Sequence, residues 1–172
     1  MSFADKVNQF DAWLLDRVFQ PVVDRLPERV TGFEVGMSLQ LGALVMDTAC
    51  LIAMFATGLL GFSDGIWNVL IWLFALFFYL SMNRMRPLMR VGHLNPLRPM
   101  LQGLRPLSIP FALYSVWQMA LASPAFLNAS RFNVLANVIY VIGLYFMSTN
   151  PRPPGFRRTA RAPAGREART TT

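Results

Sequence analysis

"LVMDTACLIAMFATGLLG", residues 44–61, is an almost wholly apolar run with one carboxylate, Asp47, set into it. Whether this run is a membrane span or a buried core helix decides the fold. From Thr48 to Ser63 there are 16 uncharged residues, which at about 1.5 Å per residue reach about 24 Å, short of a hydrocarbon layer about 30 Å thick. The apolar residues 41–46, "LGALVM", continue the pattern backward. A span is therefore expected at about 38–61, with Asp47 inside the membrane in the third nearer its amino-terminal end.

The windows that follow read the same way. Uncharged stretches of 19, 25 and 20 residues occupy 65–83, 106–130 and 132–151, each of a length that crosses a bilayer. The chain is 54% hydrophobic and 15% charged over 172 residues, too apolar for an ordinary soluble domain. A soluble helical bundle would need charged helix faces, and these stretches have none. The fold class expected is all-α: a four-helix transmembrane protein of two helical hairpins, with an N-terminal amphipathic helix and a disordered C-terminal tail. Its parts are an arm (1–32), a membrane domain (33–148, with spans at about 38–61, 65–83, 107–123 and 133–148), an Arg-Pro loop (84–106) and a tail (149–172).

Fifteen of the sixteen Lys and Arg residues fall in the arm, the central loop and the tail, and only Arg131 falls in the other connections. The positive-inside rule then places both termini and the loop in the cytoplasm, so the net charge of +7 reads as a topology signal before it suggests nucleic acid. The preference for Arg over Lys points to a GC-rich bacterium, hence to a multi-pass protein of the bacterial inner membrane. With no basic stretch leading directly into an apolar core, the first span is expected to serve as an uncleaved insertion signal. The lone Cys50 excludes an intramolecular disulfide and a cysteine-based metal site.

In the arm, Phe3, Val7, Phe10, Leu14 and Val18 recur at helical steps, widened by Trp13, Leu15 and Phe19. Ser2 and Asp5 suggest a capping box, and Pro21 and Pro27 a kink or stop. An interfacial helix is expected. One detail resists it: up to Glu34 the arm holds six acids against four bases, so anionic lipid would not attract it, and a partner helix or the basic loop is a better counterpart. In that loop, Arg-Pro-Leu or Arg-Pro-Met recurs at 86, 98 and 105, and Arg86, Arg90, Arg98 and Arg105 are candidates for docking lipid or a partner. His93 reads as a solvated loop residue. The tail, rich in Pro, Arg, Ala and Thr, reads as disordered; with Phe156 its only aromatic side chain, nucleic acid is an unlikely ligand.

Gln40 shares a helix face with Asp47, while Ala49, Ala53, Thr57 and Gly61 place small residues every four positions on another, a candidate packing face. If "FSDG" (62–65) is a tight turn, Asp47 lies level with Leu80 and within reach of Arg84, a candidate ion pair near the inner boundary. Asn68, Gln118, Asn137 and Tyr140 form a second polar set, read as glue between helices. No carboxylate pair, metal-ligand spacing, nucleophile with a base or phosphate-binding loop is visible, so an enzyme is not expected and no cofactor is called for. The leading expectation is a non-enzymatic membrane subunit or assembly factor that contacts lipids and other membrane subunits. A small homo-oligomeric transporter or channel using Asp47 comes second, and a pore former third.

Overall fold

The computed structural model describes residues 2–27, 29–89 and 93–151. Every regular element among them is helical. The amino-terminal helix α1 (Phe3–Leu14) runs through a π-helical turn (Leu15–Phe19) into the short α2 (Gln20–Val23). The Ser2 N–H donates to the Asp5 carboxylate at 2.7 Å, forming the expected box. Pro21 does not end the helix. Its ring lacks an N–H and collides with the carbonyl four residues back, and the wider π turn, in which the Gln20 N–H reaches the Leu15 carbonyl, makes room. The helix stops ahead of Pro27.

Thr31 and Glu34 then cap α3 (Gly32–Ala56), each donating its N–H to the other's side-chain oxygen at 3.2 Å. A connection at 57–61, with Gly58 at φ 66°, leads to α4 (Phe62–Arg84), which ends in a 3-10 turn (Arg86–Leu88). After α5 (Leu97–Met100) come α6 (Leu104–Ala120), a 3-10 turn (Pro124–Phe126) and α7 (Leu127–Met147).

Three helical stretches are long and apolar enough to cross a membrane: Gly32–Ala56, Phe62–Leu88 and Pro124–Met147. The fourth expected span, 107–123, does not qualify. The first turn of α6 contains Arg105, which is turned into a buried ion pair, and the helix ends at Ala120 ahead of Pro124. Its 17 residues cover about 25 Å.

The central pair is α3 and α7, packed antiparallel along most of their lengths. Their close approach is made by glycines: a Cβ on Gly36 would stand 2.8 Å from the Gly143 carbonyl oxygen and 2.7 Å from the Met147 nitrogen. Backbone cannot move aside as a side chain can, so this crossing requires glycine. On the outside, α4 flanks α3 and α6 flanks α7, so the four long helices stand in a row instead of closing a ring. Only at one end do they gather, where Phe33, Met37, Met82, Leu97, Leu101, Leu144 and Met147 form a buried cluster.

Candidate functional site

Two places concentrate polar groups. The first is at the gathered end, where the arm docks. Asp11 and Arg105 are each 2% exposed; Arg105 Nη2 and Nε donate to the Asp11 carboxylate at 2.6 and 3.0 Å, and Nη1 donates to the Arg98 carbonyl at 2.8 Å. Arg98 in turn pairs with Asp16 at 2.7 Å on the surface. The Tyr145 ring stacks on Phe19 with centroids 4.8 Å apart and lies 5.9 Å from the Arg105 guanidinium. Its buried hydroxyl sits beside Asp11 but has no hydrogen-bond partner of good geometry among the described residues.

Next to this pair, buried Asn95 closes the end of α7. Its amide donates to the Met147 and Thr149 carbonyls at 2.6 and 2.7 Å, and its oxygen accepts from the Leu97 N–H at 2.8 Å. The Met147 carbonyl belongs to the last turn of α7, which has no intrahelical donors, and the Thr149 carbonyl lies just beyond it, so a loop side chain does the work of a cap. Gln20 and Asn150 exchange a further pair of bonds at 2.9 and 3.3 Å, tying the arm to the same segment. Two of the arm's acids, Asp11 and Asp16, thus find their counterparts in the basic loop, one of the two possibilities the composition suggested.

The second place is Asp47. It lies on the face of α3 whose preceding turns, at Gln40, Ala43 and Leu44, are buried against α7. Gln40 donates to the Tyr140 carbonyl at 2.9 Å, but the carboxylate of half-buried Asp47 takes part in neither of the ion pairs and none of the side-chain hydrogen bonds found among the described residues. The expected partner is out of reach. The Thr48 hydroxyl accepts from Trp72 Nε1 at 2.9 Å, and Phe55 packs over Gly65, so Asp47 is level with about Leu73, not Leu80. Arg84 is eleven residues further on, or about 16 Å along the axis. The register shifts because residues 57–61 form the connection, whereas "FSDG" is the first turn of α4. Asp47 is also deeper than expected: α3 begins at Gly32 instead of about 38, which puts Asp47 about 22 Å from its start.

Among the described residues, the amide side chains of the second polar set do not bridge helices. Asn68 donates to the Asp64 carbonyl, Gln118 to the Tyr114 hydroxyl and Asn137 to Asn133, each within its own helix. The Tyr140 ring packs on Phe78, with centroids 5.5 Å apart. Ala49, Ala53 and Thr57 are half-buried and Gly61 is exposed. The tight crossing lies instead at Gly32, Gly36 and Gly143, and its signal was "GFEVG" (32–36), two glycines one turn apart at the start of the span. Of the loop arginines, Arg98 and Arg105 are taken up by the arm, Arg86 is exposed at the rim of a small pocket with Glu34 and Asn95, and Arg90 lies outside the described residues. So do residues 152–172 of the tail.

No three potential ligands among His, Cys, Asp and Glu converge on a metal site among the described residues. The fold defines a class: an all-helical protein with three membrane-capable helices, compatible with a multi-pass membrane protein. No family model, curated protein or solved structure matches the chain.

Proposed function

We propose that the chain is a non-enzymatic integral membrane subunit or assembly factor of a larger complex in a bacterial inner membrane, with both ends on the cytoplasmic side. The topology is supported by the distribution of arginine and by the contacts at the gathered end. The start of α3 meets the end of α7, where a Cβ on Gly32 would stand 3.0 Å from the Phe146 carbonyl oxygen, and α6 begins beside Tyr145. α6 and the residues after it make the remaining crossing, its shortness absorbed by local thinning of the bilayer.

The observation that carries the reading is Asp47. A carboxylate at depth in a membrane costs about 2.5–3.5 kcal/mol on insertion scales, and neither a basic side chain nor a hydrogen-bond donor of the described chain offsets that cost. A neighbouring span bearing Lys or Arg does so, and Asp47 is only partly buried within the chain. Extraction in mild detergent followed by mass spectrometry tests this: a different membrane protein co-purifies with the wild type and is lost with Asp47→Asn. A chain that purifies alone from its native membrane contradicts the proposal.

The partly buried position of Asp47 also favours the second reading, a homo-oligomeric transporter in which this carboxylate binds a cation or proton. That reading requires solute flux in vesicles holding the chain alone, abolished by Asp47→Asn.

A further inference from the structure

The arm turns only one face to the bundle. Leu15 and Val23 are buried there with Asp11, and Phe19 packs on Tyr145 and Phe146. Away from that face, at helical steps of three and four, run Phe3, Lys6, Phe10, Trp13 and Arg17, all exposed. Phe3 is 83% exposed and Phe10 and Trp13 about half, with the last two rings stacked 6.1 Å apart. Large aromatic side chains on an exposed helix face need an occupant.

Charge identifies it. By composition the arm is acidic, yet the fold removes carboxylates from this face. Asp11 and Asp16 are neutralised by Arg105 and Arg98, Asp5 caps Ser2 and Glu34 caps Thr31. The outer stripe keeps two cations, Lys6 and Arg17, among three aromatic rings and no acid. The arm's other end is fixed by Gln20 to Asn150, just beyond the last turn of membrane-capable α7, so the stripe is held at the level where the spans end. Aromatic rings sit well at the junction of headgroups and acyl chains, and cations beside them meet lipid phosphates.

We infer that the Phe3, Lys6, Phe10, Trp13 and Arg17 face of the arm is seated in the membrane interface and binds anionic phospholipid. The inference rests on the membrane reading above. The ion pairs with the loop are what make it possible: they turn an arm that anionic lipid should repel into one with a cationic, aromatic outer face.

Nitroxide labels test this in the full chain carrying Cys50→Ala, reconstituted into vesicles of phosphatidylcholine and phosphatidylglycerol. Labels are attached at Phe10→Cys, at Gln9→Cys on the neighbouring exposed face, and at Phe74→Cys on the outer side of α4 as a control. At residue 10, collisions with oxygen outnumber those with a water-soluble nickel relaxer, as at residue 74, and at residue 9 the order is reversed. Adding Lys6→Glu with Arg17→Glu shifts the balance at residue 10 toward the nickel reagent. Nickel access at residue 10 with a lipid-like residue 74 overturns the seating of the arm, as does exclusion of both reagents, which means protein covers the face. An unchanged balance after charge reversal overturns the preference for anionic lipid. Nickel access at residue 74 overturns the membrane reading itself.

Discussion

Removing the guanidinium of Arg105 strands the Asp11 carboxylate in a site that is 2% exposed. Breaking one side of a buried pair costs about 3–5 kcal/mol, whereas replacing both partners with apolar groups is often neutral or stabilising. Arg105→Ala is therefore expected to lower the unfolding midpoint in detergent sharply. Asp11→Leu combined with Arg105→Met should recover most of the loss. Arg98→Ala, which opens a pair whose side chains are 30% and 49% exposed, should cost no more than about 1 kcal/mol. Equal losses from the two arginines would show that the buried pair carries no special weight. Asn95→Ala leaves the Met147 carbonyl at the end of α7 and the Thr149 carbonyl just beyond it without their donor and should cost about 1–3 kcal/mol for each, read by hydrogen exchange at the end of α7.

Among the elements, the pairing of α3 with α7 depends on glycine at one level and not at the next. Gly36→Ala drives a methyl group against the backbone of α7, while at Gly42 a Cβ would meet only the Ile139 side chain at an ordinary 3.8 Å. Gly42→Ala should be neutral or stabilising by up to about 1 kcal/mol, from helix propensity, and Gly36→Ala clearly destabilising; detergent unfolding of the two variants side by side checks it. The existence of α3, α4 and α7 was legible in the sequence because a charge-free run leaves an apolar helix few other arrangements, but α3 runs from Gly32 to Ala56 where about 38–61 was expected, and α7 begins at Leu127, ahead of the expected 133. Both capping boxes are local and equally readable, although only the one at Ser2 was recognised. The hairpin register was not readable, since it hangs on where five residues, 57–61, leave the helix. The Asp11–Arg105 pair joins positions 94 residues apart, and nothing in the spacing of either segment announces it. The arm's amphipathic stripe was visible, but not its division into an inward face at Leu15 and Phe19 and an outward one at Phe3, Phe10 and Trp13. The π turn ahead of Pro21 is part of the reason, because it changes the angle between residues on either side of it.

For the whole molecule, the proposed topology predicts a single orientation in the membrane. A membrane-impermeant thiol reagent should label Ser63→Cys in intact cells and label Leu94→Cys only after lysis, both in a Cys50→Ala background. The reverse pattern would invert the topology and with it the cytoplasmic placement of the arm.

Among the described residues, helices standing in a row enclose no lumen: with α4 and α6 on opposite flanks of the α3–α7 pair, a single copy is a fence and not a pipe. Any permeation pathway must then be walled by several copies, so flux through vesicles would climb more steeply than linearly with protein density. Strict proportionality at high dilution would show one copy conducting alone and would require a different arrangement of its helices.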